Sequence, residues 1–257
     1  MSSVLDSIVA GVLEDVKARE IPFLELREQV ASAPKIRDAY AALAAPGMQI
    51  IAEVKRSSPS KGALASIADP ADLARTYEAA GAAVISVLTE GRRFGGSAMD
   101  LTLVRRAVNT PLLRKDFTVT EYQVYETRAL GADLILLIVA ALSDSQLRDY
   151  QALSHELGMS VLVEVHNESE LERALNMDAS IIGINARNLK TLEIHDDAFG
   201  RLLPLITGNR IRVAESGIST RAQVAAAEFA GAKAILVGET LVRAGDPTSA
   251  INTLLGR

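Results

Sequence analysis

The segment SVLVEVHNESELERALNMDASIIGIN, residues 160–185, is the most informative part of this chain about its fold class. It begins with a short apolar run rich in β-branched residues, continues with a longer helical pattern and ends in a second apolar run. Strands that are connected through a helix in this way pair in parallel. The stretch therefore predicts a parallel sheet whose strands alternate with helices.

The same alternation recurs from Gln49 onward, with gaps of about 20 to 35 residues that each fit a strand, a helix and two loops. The runs are QIIAEV, AVISVL, PLLRK, LILLI, SVLVEV, IIGIN, IRVAES and AILVG, which end near Val54, Leu88, Lys115, Ile138, Glu164, Asn185, Glu215 and Gly238. Eight such units predict an α/β fold, a closed (β/α)8 TIM barrel. A doubly wound open sheet is less favoured, because the first turn, KRSSPSKG, is neither a dinucleotide-binding glycine motif nor a P-loop.

The residues before the first run predict an N-terminal helical extension. Apolar residues recur there on one helix face, and Ser3 with Asp6 offers a capping box; the apolar residues are Leu5, Ile8, Val9, Val12, Leu13 and Val16. Two shorter helical patterns cover residues 24–31 and 33–43, before Pro46 and Gly47. We expect a single TIM-barrel domain over 1–257, with the extension at 1–47 and the barrel at 48–257.

Composition excludes several classes of function. The chain has 27 Lys and Arg against 32 Asp and Glu, and this net charge of -5 argues against a nucleic-acid partner or an anionic membrane surface. It has no cysteine, which fits a cytoplasmic protein, and its 3 histidines lack a metal-ligand spacing. We therefore expect neither a metal nor an organic cofactor.

The chain shows no signal for a membrane. Its longest apolar run, Leu134 to Leu142, is far shorter than the roughly 20 residues of a membrane-spanning helix. The N-terminal stretch carries Asp6, Glu14 and Asp15 and lacks a basic leader, so it does not resemble a signal peptide. We expect a cytoplasmic protein, and a monomer is the default expectation.

Polar residues follow five of the eight predicted strands. Because the C-terminal strand ends of such a barrel build its active site, these side chains are expected to converge in a partly desolvated bowl that suits proton transfer. The residues are Glu53 and Lys55, Lys115 and Asp116, Glu164 and His166, Asn185 and Arg187, and Glu215 and Ser216. For any single one of them, a charge paired at a solvated rim is the alternative.

Two glycines predict a phosphate site. Gly217 in AESGIS and Gly238 in LVGET lie at the turns from the last two strands into helices, where backbone N–H groups face an anion with a favourable dipole. This is the usual place of a barrel phosphate site. The alternative is that both glycines serve turn geometry only.

Two loops have features of a substrate pocket. Residues 56–62, which include Ser58, are rich in hydroxyls and positive charge, a composition that suits a mobile flap over an anionic substrate. The alternative is an ordinary surface turn. Phe94 and Phe117 follow the second and third strands. They either wall an aromatic substrate pocket or simply pack.

Eight ordered segments resemble indole-3-glycerol phosphate synthase between about Gln49 and Arg243: IAEVKRSSPSKG, ISVLTEGRRFGGS, PLLRKDF, EYQVYE, LVEVH, IGINARNL, AESGI and ILVGETL. That family also carries a helical N-terminal extension. The resemblance implies a carboxy-lyase of tryptophan biosynthesis. It would close the ring of 1-(2-carboxyphenylamino)-1-deoxyribulose 5-phosphate, with loss of carbon dioxide and water, to give indole-3-glycerol phosphate.

The resemblance also implies residue roles. Lys115 would be the general acid and Glu164 the base. Lys55, oriented by Glu53, would hold the substrate carboxylate, and which lysine protonates which oxygen stays open. Asn185 and Arg187 would bind the hydroxyls and the carboxylate of the substrate, and Glu215 and Ser216 would complete the polar floor of the pocket. Phosphate would bind at Gly217, Gly238 and Glu239. Other substrate contacts would come from Ser58, Phe94 and Phe117.

Two departures from the family pattern affect fine substrate contacts rather than the reaction class. Ala186 stands where many members have a second Asn, and residues 91–93 read GRR where E-K-Y is more typical. A phosphoribosyl isomerase barrel is the nearest alternative, but its Cys and Asp pair is impossible without cysteine. A barrel that only binds a phosphorylated metabolite would keep its function after Lys115→Ala or Glu164→Gln.

Overall fold

The computed structural model describes residues 3–257, in which eight parallel strands form a closed barrel. The strands pair in chain order, and the last pairs with the first. They are β1 (Gln49–Val54), β2 (Val84–Leu88), β3 (Leu112–Lys115), β4 (Leu134–Ile138), β5 (Ser160–Val165), β6 (Ile181–Asn185), β7 (Ile211–Glu215) and β8 (Ala234–Val237). The predicted TIM barrel is confirmed, and the open sheet is excluded by the β1–β8 pairing.

Helices precede, connect and follow the strands. They are α1 (Val4–Arg19), α2 (Phe23–Ser32), α3 (Ala39–Ala44), α4 (Pro70–Ala79), α5 (Ala98–Ala107), α6 (Glu121–Ala129), α7 (Asp144–Glu156), α8 (Glu168–Asn176), α9 (Ala198–Leu202), α10 (Arg221–Phe229), α11 (Glu239–Arg243) and α12 (Pro247–Leu255). Short 3₁₀ turns cover Val139–Ala141 and Leu203–Leu205, and a small hairpin pairs Ser57–Ser58 with Gly62–Ala63. None of the helices that residues 3–257 form is long and apolar enough to cross a membrane.

The extension consists of α1, α2 and α3, and its first two residues lie outside the described part of the chain. The predicted capping box is present, with Asp6 N–H donating to Ser3 Oγ and Ser3 N–H donating to the Asp6 carboxylate. Most of the predicted apolar face of α1 is buried or half-buried, but Leu13 is 45% exposed. The face that packs on the barrel is therefore narrower than the sequence pattern indicates.

The helix predicted over 33–43 is wrong in its first half, because α3 begins only at Ala39. The backbone before it bonds to side chains of the barrel instead of to itself. Arg128 donates to Pro34 O, Arg105 donates to Lys35 O, and Arg37 N–H donates to Asp133 Oδ1. These side-chain partners satisfy backbone groups that a helix would otherwise pair internally.

Nearly every residue of the eight strands is buried, so the barrel interior is a packed core. The strands end within one residue of the predicted positions, with Val165 and Val237 as the last residues of β5 and β8. Because all eight strands run in parallel, their C-terminal ends lie at the same end of the barrel. The polar residues that follow these strands therefore face a shared space.

Candidate active site

The C-terminal ends of the strands surround a cavity of about 580 Å³. Every residue predicted from the sequence for catalysis or substrate binding lines it: Glu53, Lys55, Ser58, Phe94, Lys115, Phe117, Glu164, Asn185, Arg187, Glu215, Ser216, Gly217, Gly238 and Glu239. Asp116 lines it as well, whereas His166 does not. Residues that are far apart in the sequence thus share one concave space of the size of a small-molecule site.

Lys115 is surrounded by carboxyl groups. Its Nζ lies 3.0 Å from Glu164 Oε2 and 3.7 Å from Glu215 Oε2, and both glutamates are buried. Burial by itself lowers the pKa of Lys115, but the charges of Glu164, Glu215 and Glu53 outweigh it and raise that pKa above its ordinary value. Lys115 is therefore an ammonium at neutral pH.

The two glutamates next to Lys115 differ in protonation. Burial raises the pKa of Glu164, but Lys115 and His166 outweigh burial and hold that pKa well below its ordinary value. For Glu215, burial and the charge of Glu164 raise the pKa to about 8. At neutral pH the site thus holds one ionised and one protonated carboxyl group, the combination that acid–base chemistry needs.

A second ion pair lies at the end of β1. Lys55 Nζ is 2.5 Å from Glu53 Oε1, and the Glu53 side chain is buried. A Cβ atom on Gly238 would stand 2.4 Å from Glu53 Oε1 and 3.1 Å from Lys55 Cε. Gly238 therefore leaves space for this pair, a role that its sequence context did not reveal.

Asn185 is the last residue of β6, Arg187 lies just after the strand, and a hydrogen bond joins the two residues. Arg187 N–H donates to Asn185 Oδ1 at 3.0 Å, and Arg187 Nη1 donates to Leu192 O at 3.0 Å. Ala186, which departs from the family pattern, is buried and does not line the cavity. The departure therefore lies away from the lining surface.

The turns after β7 and β8 adjoin each other. Ser216 has φ 68° and Gly217 has φ 74°, so two consecutive residues adopt the left-handed conformation. Thr240 Oγ1 donates to Ile218 O at 2.9 Å and connects α11 to the turn after β7. Left-handed backbone at a non-glycine residue such as Ser216 costs free energy and is concentrated at functional sites.

The two phenylalanines lie side by side, with ring centroids 6.1 Å apart and ring planes at 40°. The loop of Phe94 is held by the buried Glu90 carboxylate, which accepts from the N–H groups of Arg92, Arg93 and Phe94 at 3.0, 2.7 and 2.9 Å. Ser57 N–H donates to Phe94 O at 3.2 Å, so the loop that contains Ser58 contacts the loop of Phe94.

The family model for indole-3-glycerol phosphate synthase matches residues 5–254. The chain belongs to the indole-3-glycerol phosphate synthase family. The family predicted from the ordered segments is thereby confirmed, and the match extends through the helical extension as well as the barrel.

Two relatives named indole-3-glycerol phosphate synthase illustrate the similarity. The Nocardioides sp. protein is 57% identical over 256 residues, covering 99% of this chain and 98% of its own length. The Paenarthrobacter aurescens protein is also 57% identical, over 97% of this chain and 94% of its own.

Solved structures at lower identity share the fold of this indole-3-glycerol phosphate synthase family member. The 3-hexulose-6-phosphate synthase from Salmonella typhimurium superimposes with a TM-score of 0.65 at 12% identity, over 81% of this chain and 97% of that one. The N-acetylmannosamine-6-phosphate 2-epimerase from Clostridium perfringens superimposes with a TM-score of 0.61 at 14% identity, over 82% of this chain and 94% of that one. At these identities the likeness concerns the barrel architecture alone.

Three residues that the sequence did not predict as site residues bear on the site of this family member. Ile8 of α1 lines the cavity, which makes the extension part of its wall. Arg243 lines it next to the predicted phosphate site and pairs with Glu239 at 3.3 Å. Gly183 in β6 has no room for a side chain, because a Cβ atom would lie 1.9 Å from Glu215 Oε1. A glycine inside the apolar run IIGIN was the available signal.

Proposed function

We propose that this cavity binds 1-(2-carboxyphenylamino)-1-deoxyribulose 5-phosphate and closes its indole ring, with Lys115 as general acid and Glu164 as general base. Membership of the family makes the chain an indole-3-glycerol phosphate synthase, a carboxy-lyase of tryptophan biosynthesis that acts on a small phosphorylated substrate. The 3.0 Å contact between Lys115 Nζ and Glu164 Oε2 inside the cavity carries the assignment of acid and base.

Ring closure needs an acid. The substrate ketone is a poor electrophile until its oxygen is protonated, and the Lys115 ammonium donates that proton while the aryl carbon that bears the carboxylate forms the new carbon–carbon bond. The carboxylate then leaves as carbon dioxide, and its bonding electrons restore the aromatic ring. The raised pKa of Lys115 keeps the acid loaded at neutral pH.

Dehydration needs a base. The new hydroxyl leaves as water, and Glu164 removes a proton from the carbon next to the nitrogen, which completes the indole. Glu215, with a pKa raised to about 8 mainly by burial, carries a proton at neutral pH and donates it to the departing hydroxyl. One proton is taken from solvent per turnover, because a carboxylate is lost as carbon dioxide.

The other lining residues bind the substrate. Phe94 and Phe117 contact the aryl ring, an assignment supported by their neighbouring rings at the cavity. The N–H groups at Gly217, Gly238 and Glu239 hold the phosphate, supported by the left-handed turn at Ser216 and Gly217. Lys55, which Glu53 orients, and Arg187 bind the substrate carboxylate. Asn185, Ser216 and Ser58 bind the substrate hydroxyls.

The chain is further proposed to act as one domain over 1–257, with the extension at 1–47 and the barrel at 48–257, as a cytoplasmic monomer. Neither nucleic acid nor metal nor organic cofactor enters the proposed reaction, since the acid and the base are both side chains of the cavity. Sedimentation equilibrium tests the monomer. A rate that falls when a chelator is added would contradict the metal-free reaction.

The test of the proposed function is a steady-state assay with this substrate, following indole fluorescence in the presence of the chelator. Lys115→Ala and Glu164→Gln are each expected to lower kcat at least about a hundred-fold, because each removes an acid or base. A protein that only binds a phosphorylated metabolite would show no turnover in the wild type. Wild-type kcat in both variants would overturn the assignment of acid and base.

A further inference from the structure

His166 is a buried histidine directly behind the proposed base. It follows β5, the strand that carries Glu164, and its side chain is 8% exposed. It does not line the cavity, so it does not contact substrate there. The other two histidines of the chain, His155 and His195, are exposed.

One edge of the His166 ring is fixed by the first turn of α8. His166 Nδ1 lies 2.9 Å from Glu170 Oε2, and the His166 backbone N–H donates to the same oxygen at 2.8 Å. Glu170 is itself held by Asn167, whose amide donates to Glu170 Oε1 at 2.8 Å and whose Oδ1 accepts from Glu170 N–H at 3.0 Å. Because an ionised carboxylate only accepts hydrogen bonds, His166 Nδ1 carries a hydrogen.

The other edge of the ring faces the base. His166 Nε2 lies 3.3 Å from Glu164 Oε1, and each is a buried polar atom that has no hydrogen-bond partner within residues 3–257. A buried polar atom without a partner is costly, so this contact decides how both groups are satisfied. Glu164 Oε2 faces Lys115, which leaves Oε1 to His166.

We propose that His166 is a positioning residue of the reaction: held by Glu170, it donates from Nε2 to Glu164 Oε1 and so keeps Glu164 Oε2 directed at Lys115 and the substrate. The inference rests on the proposed role of Glu164 as the base. The proposal assigns the contact between His166 Nε2 and Glu164 Oε1 a role during the reaction. When Lys115 transfers its proton to the substrate, Glu164 loses a cationic partner, and the imidazolium still fixes and compensates the carboxylate.

The charges around the ring agree with a protonated imidazole. Burial lowers the pKa of His166, but Glu164 and Glu170 outweigh burial and raise that pKa to about 9. These two carboxylates are the charged groups in contact with the ring, and Lys115 and Glu215 act on it only across Glu164. Both ring nitrogens are therefore donors at neutral pH.

Two variants separate positioning from helix capping. His166→Asn keeps an amide donor near the place of Nδ1, toward Glu170, and removes the donor toward Glu164. His166→Gln places its amide near the position of Nε2 and restores a neutral donor to Glu164. We expect His166→Asn to lower kcat about tenfold or more, with KM within about twofold, because a hydrogen bond to a charged group is lost. His166→Gln should recover most of kcat.

The wild-type enzyme supplies a readout that does not depend on the folding of a variant. Histidine ring resonances in nuclear magnetic resonance should show one group, His166, that titrates near pH 9. Loss of the Glu215 proton near pH 8 should lower kcat in both proteins, whereas a further decrease near pH 9 should be present in the wild type and absent in His166→Gln. The absence of any histidine resonance that titrates near pH 9 would overturn the inference.

Glu164→Gln keeps the two proposals distinguishable. If it loses about a hundred-fold in kcat while His166→Asn retains the kcat and pH profile of the wild type, His166 has no positioning role and the proposed function stands. If Glu164→Gln keeps wild-type kcat, the proposed function itself fails. A loss in His166→Asn that His166→Gln does not recover, with both variants folded, would also overturn the positioning role.

Discussion

Glu164 and Glu215 both contact Lys115, yet their pKa values shift in opposite directions. The reason is the set of neighbours at each carboxyl group. Glu164 has Lys115 and His166 beside it, whereas both oxygens of Glu215 are buried without a hydrogen-bond partner in the described chain. Two residues of one type thereby differ in protonation at neutral pH, as their proposed roles of base and acid require.

The raised pKa of Glu215 makes stability depend on pH. The pKa of Glu215 is about 8 in the folded chain, whereas its ordinary value is 4.5. Between pH 4.5 and about pH 8 the folded state therefore binds more protons than the unfolded state. Stability should therefore fall as pH rises through this window. Glu215→Gln, which is neutral at every pH, should lack this component of the slope.

Urea unfolding of both proteins at about pH 5 and about pH 9 measures that difference. The variant should gain stability relative to the wild type as pH rises. His166, with its raised pKa, is common to both proteins and its contribution cancels to first order. Parallel pH dependences in the two proteins would contradict a protonated Glu215.

Gly183 tests how tightly the carboxyl groups are packed. Gly183→Ala places a Cβ atom 1.9 Å from Glu215 Oε1, so we expect a loss of about 1–3 kcal/mol in the free energy of unfolding. The matched control is Gly200→Ala in α9, where the added methyl meets no atom within 4 Å beyond its chain neighbours and the backbone of its own helix. That control should be unchanged or up to about 1 kcal/mol more stable, and equal effects in the two variants would contradict the packing argument.

Among the structural elements, the segment between α2 and α3 is held by a buried carboxylate. Asp133 precedes β4 and accepts from Arg37 N–H at 2.8 Å, Leu112 N–H at 2.9 Å and Arg105 Nη1 at 2.7 Å. One side chain thus joins the extension, β3 and α5. This explains why residues 34–37 form an irregular segment where the sequence pattern favours a helix.

Asp133→Asn should destabilise the fold by about 3–5 kcal/mol, because it leaves the buried Arg105 guanidinium without its counter-charge. Asp72→Asn is the control, since Asp72 forms an ion pair with Arg75 on an exposed face of α4 and should cost less than about 1 kcal/mol. Chemical unfolding measures both. A loss for Asp133→Asn as small as that of the control would show that the arginine finds other partners.

Across the whole molecule, function and stability lie at opposite ends of the barrel. The C-terminal strand ends hold the proposed acid, base and phosphate site, whereas Asp133 and the 34–37 segment lie at the N-terminal end. This division is general for TIM barrels. It allows charged groups to converge at one end while packing and ion pairs secure the other.

Inorganic phosphate should bind at the C-terminal end. We expect it to raise KM for the substrate without changing kcat at about 1–10 mM, and to raise the melting temperature because it binds only the folded state. Sodium chloride at equal ionic strength is the control, since screening alone weakens binding of an anion. Noncompetitive inhibition, or no effect beyond that of the salt, would contradict the phosphate site at Gly217 and Gly238.

The sequence was sufficient to predict the barrel, the strand ends to within one residue and many of the residues that line the cavity. Strand and helix periods are local properties, and the parallel order of eight strands places every C-terminal strand end on one face, so residues such as Lys115 and Glu164 are predictable from position alone.

Other properties became visible only in three dimensions. Glu215 keeps its proton, and Ile8 is part of the cavity wall. Gly183 and Gly238 leave space for carboxyl groups, and Asp133 prevents a helix at residues 34–37. These properties depend on distances between groups that are far apart in the sequence. Desolvation, charge–charge interaction and steric overlap all act through such distances, and no local pattern contains them.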